Sequence, residues 1–144
     1  MIPSASKGTA SRVLNAPIDK VWDAVCELDF SFWRLVQKSE TLGDGDKVGN
    51  VHRVVFKDGT VQKYKVVEYS ELEHAVTYEL IESNPPTRAT SALYTIQVRP
   101  VTSNNTSFVE WTSEFSMDGG VEVVQDSKYK KQEALEDLAK LVEG

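Results

Sequence analysis

Between residues 50 and 115 the chain writes one strand after another, and beyond residue 120 it changes period and does not change back. NVHRVVF (50–56) runs into KDGT, where Asp58-Gly59 is a hairpin turn word. VQKYKVVEY (61–69), HAVTYELIE (74–82), TSALYTIQV (90–98) and TSFVEWTSEF (106–115) follow, separated by polar turns. SNPP (83–86) cannot continue a ladder. Short strands at this spacing predict an antiparallel meander. From Val121 to Val142 the apolar spacing is helical: Val121, Val124, Lys128, Leu135, Leu138 and Val142 fall on one face, and Lys and Glu fill the other. An alternating sheet has one apolar face, and something must cover it. The terminal helix is the only element large enough.

The first third supplies smaller pieces. TASRVL (9–14) suits a strand, and Asn15, Ala16 and Pro17 turn the chain. Proline suits a first helical position, whose N–H has no partner anyway. Ile18, Val21, Trp22, Val25 and Leu28 then mark a helical stripe, and Phe30, Phe32 and Trp33 open a second short helical piece. Trp22 and Trp33 are expected to plug one end of the sheet. Gly43, Asp44, Gly45, Asp46 and Gly49 make a polar loop. The expected fold is α+β: a curved antiparallel sheet of six to seven strands wrapped around a long C-terminal helix, with two short helices after the first strand. Residues 1–144 are expected to form a single domain.

Charge and composition narrow the partners. The 144 residues carry a formal net charge of −6. An acidic surface repels phosphate backbones, so nucleic acid is not an expected partner. One cysteine, Cys26, allows no internal disulfide, which fits a reducing compartment. No apolar run reaches the ~20 residues of a membrane span, and MIPSASKGTAS has no hydrophobic centre of the secretory kind. A cytoplasmic protein, monomeric or weakly dimeric, is expected. His52 and His74 form no metal-binding word, so neither metal nor cofactor is expected. GDGDKVG lacks the Gly-Lys-Ser/Thr ending of a phosphate loop and the spacing of a calcium loop.

Period two gives each strand two faces, and a slip of one residue exchanges them. Val76, Tyr78 and Leu80 are read as facing inward, as are Ala92, Tyr94, Ile96 and Val98. Val109, Trp111, Ser113 and Phe115 oppose Glu110, Thr112 and Glu114. On 50–56, His52, Val54 and Phe56 oppose Val51, Arg53 and Val55, and the pattern fits either face. Tyr64 and Val66 go in with His52. The candidate ligand-binding set is His52, Val54, Phe56, Tyr64, Val76, Tyr78, Leu80, Thr90, Ala92, Tyr94, Trp111, Ser113 and, from the helix, Val124. Apolar walls with a few polar tips are the composition of a small-molecule pocket. In the competing reading, the tips satisfy one another in a filled core. His52, Tyr64 and Tyr78 are the candidate catalytic groups, the imidazole as acid or base and a phenol as donor. Cys26 reads as a buried inert thiol, His74 as solvent-facing, and Lys128, Lys130 and Lys131 as a solvated helix face.

Four words occur in a telling order: APIDKVWDAV after a first strand, GDGDKVGNVHRVVF, VTYELIESNPP, and WTSEF before a terminal amphipathic helix. Along nearly its whole length the chain resembles the helix-grip proteins. These include START-like lipid carriers, birch-pollen-type allergens and the polyketide cyclase/dehydrase-like (SRPBCC) proteins. The last two words are similar to those of plant lachrymatory-factor-synthase relatives. The resemblance implies a cavity between sheet and helix, turns His52 toward it, and puts the GDGDKVG loop at its mouth. In the synthase an arginine and a glutamate work with two tyrosines. Here His52 stands at the arginine's place and Tyr64 at the glutamate's. Tyr78 keeps its type, and Thr90 stands where the other tyrosine would be. That reaction is therefore not carried over, since one fold hosts many functions. What is expected is binding of a small hydrophobic molecule, such as a lipid or polyketide. The alternative is a cyclase-, dehydratase- or isomerase-like enzyme using the same cavity. Binding is favoured because no carboxylate, arginine or lysine is expected inside.

Overall fold

Period-two alternation builds seven strands, and the switch to helical period builds the element that covers them. The computed structural model describes residues 5–43 and 47–144. In chain order the elements are β1 (Ala5–Leu14), α1 (Ile18–Val25), β2 (Val36–Leu42), β3 (Val51–Phe56), β4 (Val61–Ser70), β5 (Ala75–Asn84), β6 (Ala92–Val101), β7 (Thr106–Ser116) and α2 (Gly120–Glu143). A single 3-10 turn, Met117–Gly119, leads into α2. The sheet order is β1-β7-β6-β5-β4-β3-β2, with every neighbouring pair antiparallel.

Two bulges bend the middle of this sheet. Lys63 pairs with Glu82 but Tyr64 with Leu80, which leaves Ile81 as an extra residue on β5. Val66 pairs with Tyr78 but Glu68 with Thr77, which leaves Val67 extra on β4. Bulges bend a strand and increase its twist. Both extra residues face solvent. Tyr64 and Tyr78 remain on the concave face, buried beside Val66, Val76, Tyr94, Ile96 and Trp111.

The covering helix lies off-centre. Helix α2 packs chiefly along β1, then β7. Gly8 on β1 permits the approach: a Cβ there would stand 2.9 Å from Val124 Cγ1. The buried face of α2 is Ser127, Lys131, Ala134, Leu135, Asp137, Leu138, Ala139 and Val142. Val121 and Lys128, expected on that face, are exposed. The inward stripe is rotated because its phase is fixed by Ala134, Leu135, Leu138 and Ala139 pressing on the sheet. Val121 lies in the first turn, where the helix has less beneath it, while Val124 still packs partly buried over Gly8.

The expected pair of short helices is one. Pro17, with ψ 157°, stands at the N-cap of α1, one place before the first helical position. Helix α1 buries Val21, Trp22 and Val25. Residues 28–33 hold no helix, since Leu28 (φ 55°) and Phe30 (φ 52°) adopt left-handed backbone that no α-helix tolerates. Packing holds them there. Phe30 is 2% exposed and meets Tyr64, Tyr78, Trp33 and Trp111, stacking on Trp111 at 5.6 Å and 7°. Strand β2 was not anticipated. Its run VQKSETL is mostly polar, because β2 is an outer edge with little beneath it to bury.

Arg34 fastens this turn region to α2. The Asp137 carboxylate accepts the Arg34 backbone N–H at 2.8 Å and the guanidinium Nε at 3.0 Å. Burial alone would push the Asp137 carboxyl up, but the contacts from Arg34 outweigh it and hold the group below its ordinary range. Such a carboxylate stabilises the fold above about pH 4 and loses that effect as pH falls through its folded value. Replacing Asp137 by Ala should lower the melting temperature at pH 7 by about 5 °C. Variant and wild type should converge as pH falls through that folded value. A gap that stays constant with pH would remove the ion pair as its cause. In urea unfolding, Phe30→Ala should cost about 3–5 kcal/mol, the value of an aromatic ring lost from a packed centre; a loss under 1 kcal/mol would show the turn region to be a surface appendage.

Candidate functional site

A helix resting on one half of a bent sheet leaves a cleft over the other half. It opens between α2, the β3–β4 hairpin and residues 87–88, with a volume of about 520 Å³. Trp33, Leu35, Phe56, Phe115 and Val123 supply its apolar wall. Tyr64, Tyr94, Gln62, Ser127 and Lys131 supply its polar groups. Lys57, Asp58, Arg88, Glu122, Asp126 and Lys130 also line it, as a mixed-charge rim.

Of the residues picked out from sequence, Phe56, Tyr64 and Tyr94 line this cleft. Phe56 meets Trp33 edge-on at 5.6 Å. The Tyr64 hydroxyl donates to Gln62 Oε1. Tyr94 stacks on Tyr78 at 5.1 Å. Burial pushes both the Tyr64 and Tyr94 phenols up, so they are neutral donors and not bases near neutral pH.

The others are placed elsewhere. Tyr78 sits behind the wall, where its hydroxyl accepts the Trp111 Nε1–H at 3.0 Å. That buried pair is satisfied without a ligand, which is the filled-core alternative realised at one point. Val54, Val76 and Ala92 are buried core, and Leu80 and Val124 pack partly buried against it. His52 faces inward but away from the cleft lining, with Nδ1 3.2 Å from Thr41 Oγ1. Burial lowers its pKa, so the imidazole is neutral at pH 7. Ser113 reaches Ser127 Oγ at 3.1 Å across the seam between β7 and α2. Thr90, expected as an inward tip, is exposed. It precedes β6, and its backbone N–H and hydroxyl both donate to Asp118. His74 is half-buried against Trp22, with ring centres 5.5 Å apart, because the tight turn into β5 (φ 53°) folds it onto α1. Cys26 is half-buried with its thiol pushed up, chiefly by burial, so it is a poor nucleophile. Of the GDGDKVG loop, Asp44, Gly45 and Asp46 lie outside the described residues.

The group missed by sequence reading is Lys131. Expected on a solvated face, it is 8% exposed and lines the cleft. Its Nζ donates to Ser127 Oγ at 3.0 Å. The same ammonium lies 4.3 Å from the Tyr94 ring centre and 5.3 Å from that of Trp111. Burial, with some help from Lys130, brings its pKa down to about 7. A signal was present. Lys131 stands four residues before Leu135 and seven before Leu138, which is the buried stripe of α2. Its two lysine neighbours drew it into the solvent cluster. Trp33 adds a second polar feature: its Nε1–H is buried with no hydrogen-bond partner among the described residues.

Among the described residues no three His, Cys, Asp or Glu gather to hold a metal, and no helix is long and apolar enough to cross a membrane. No curated protein matches the chain. Solved structures do. A protein from Nitrosospira multiformis is 26% identical over 95% of this chain and 96% of its own, with a TM-score of 0.82. An uncharacterized protein from Bacillus thuringiensis is 22% identical over 96% of this chain and 100% of its own, with a TM-score of 0.83. XoxI from Bacillus cereus is 21% identical over 97% of this chain and 96% of its own, with a TM-score of 0.79. The family described as polyketide cyclase / dehydrase and lipid transport matches residues 6–143. The seven-stranded sheet gripping one long helix, and that match from the first strand to the last turn of α2, make the chain a member of this family.

Proposed function

We propose that the protein binds a small apolar molecule, lipid- or polyketide-like, in the cleft between the sheet and α2. The observation that carries this reading is the 520 Å³ cleft itself, walled by Trp33, Leu35, Phe56, Phe115 and Val123. Ligand sites are commonly concave, apolar and fitted with a few convergent polar groups. Apolar surface removed from water contributes about 25 cal/mol per Å² before association costs are subtracted. In this reading Phe56, Tyr64 and Tyr94 keep the wall roles expected from sequence, and Trp33 and Lys131 join them. The neutral fluorescent probe N-phenyl-naphthylamine should bind with a blue-shifted emission. Val123→Trp, which fills the cleft from α2, should weaken that binding roughly tenfold. Unchanged affinity in this folded variant would place the probe elsewhere and end the reading.

A second reading, an enzyme of cyclase or dehydratase type, rests on Lys131 rather than on His52. An amine with a pKa near 7 in a partly dry cleft can take a proton from a carbon acid. Turnover of a polyketone substrate should then rise through about pH 7 and vanish in Lys131→Met. A rate rising at lower pH, through the lowered value of His52, and surviving in that variant would point back to the imidazole.

A further inference from the structure

Lys131 poses a question that the binding reading leaves open. A buried ammonium is costly unless an opposite charge answers it. Ser127 Oγ at 3.0 Å and the two ring faces stabilise it in part. None of these carries a negative charge. The ion pairs nearby on α2 go elsewhere: Asp126 pairs with Lys130 at 2.9 Å, and Asp137 with Arg34. Among the described residues Lys131 forms no ion pair with a carboxylate.

Trp33 lines the same cleft, and its Nε1–H is buried without a partner among the described residues. Both residues flank one indole: the Trp33 ring centre lies 5.7 Å from that of Trp111, and Lys131 Nζ lies 5.3 Å from it. The cleft thus holds a cation without an anion. The wall beside it is Phe56, Phe115 and Leu35.

We propose that the occupant of the cleft is an apolar monocarboxylic acid, whose carboxylate pairs with Lys131 Nζ while its hydrocarbon body lies against Phe56 and Phe115. This rests on the binding reading above and adds the charge and the orientation of the ligand. A neutral alcohol of the same length fills the same apolar wall but leaves the ammonium unanswered. Specificity for the acid comes from that difference.

The groups facing Lys131 define the expected pH dependence. Tyr64 from β4 and Tyr94 from β6 are phenols held neutral by burial. Trp111 from β7 does not titrate, and Ser113 reaches only Ser127. Asp126 and Lys130 on α2 bias Lys131 in opposite directions, and Glu122, Arg88, Lys57 and Asp58 stand on the rim. A bound carboxylate favours the charged amine and raises its pKa from about 7. Below that value Lys131 is already protonated and binding takes up little proton. Above it, each binding event must protonate the amine, so affinity for the acid falls as pH rises.

The test uses the whole chain, with N-phenyl-naphthylamine as reporter and decanoic acid and decanol as competitors. At pH 6 decanoate should displace the probe at concentrations roughly tenfold or more below decanol. From pH 7.5 to 9 decanoate affinity should fall by up to about tenfold per pH unit while that of decanol holds. Calorimetry in buffers of different ionisation enthalpy should show about one proton taken up near pH 8 and little at pH 6. In Lys131→Met the ratio between acid and alcohol should collapse toward one. If that variant does not fold, the wild-type pH series and proton count decide alone. Equal affinity of acid and alcohol at pH 6, or decanoate affinity that is flat with pH, overturns the anion site while leaving the cleft a binding site. Failure of the probe and both competitors to bind overturns the cleft reading itself.

Discussion

The sheet has a concave apolar face wider than the helix laid on it, and the rest of the molecule is arranged around that mismatch. Helix α2 covers the β1–β7 half, where Gly8 lets it come close. The turn region carrying Phe30 and Trp33 drops onto the middle, wedging Phe30 flat against Trp111. What neither covers becomes the cleft. Bulges at Val67 and Ile81 sharpen the curvature that creates it. An aromatic mortar of Tyr64, Tyr78, Tyr94 and Trp111 stiffens the floor through edge and stacked contacts. The floor is thus preformed, which spares a ligand some of the ordering cost of binding.

The legible parts of the chain were those in which burial alternates at a fixed period. Strands β3, β6 and β7 bury alternate residues over most of their length, and β4 does so from Tyr64 to Val66, so their existence and most of their faces could be read directly. The long helix was legible as a helix, and Leu135, Leu138 and Val142 lie on its buried face as read, but Val121 and Lys128 are exposed and Lys131 takes the inward place. Strand β2 has no period to read because it is an edge. The left-handed residues Leu28 and Phe30 could not be anticipated either. Bulky side chains avoid that region unless tertiary packing compels it.

The site was less legible than the fold for a related reason. Tyrosines were expected to converge, and they do, but two of their polar ends are answered within the protein: Tyr78 by Trp111 and Tyr64 by Gln62. The groups left unanswered were a lysine among lysines and a tryptophan taken for a plug. Residue type ranks lysine among the least buried of side chains. Only its spacing from Leu135 and Leu138 spoke otherwise, and that signal was outweighed by its charged neighbours.

The strand order carries a consequence for how the molecule assembles. β1 and β7 are neighbours, with Ala5 opposite Ser116, so the first strand finds its partner only after nearly all the others have been made. On the ribosome that leading segment must wait, its inward residues unsheltered, while the hairpins from β3 onward zip in turn. Closing so long a loop is a slow, late event in a topology of this kind. An interruption of synthesis before β7 would leave a bare sheet margin and no roof, a species prone to self-association.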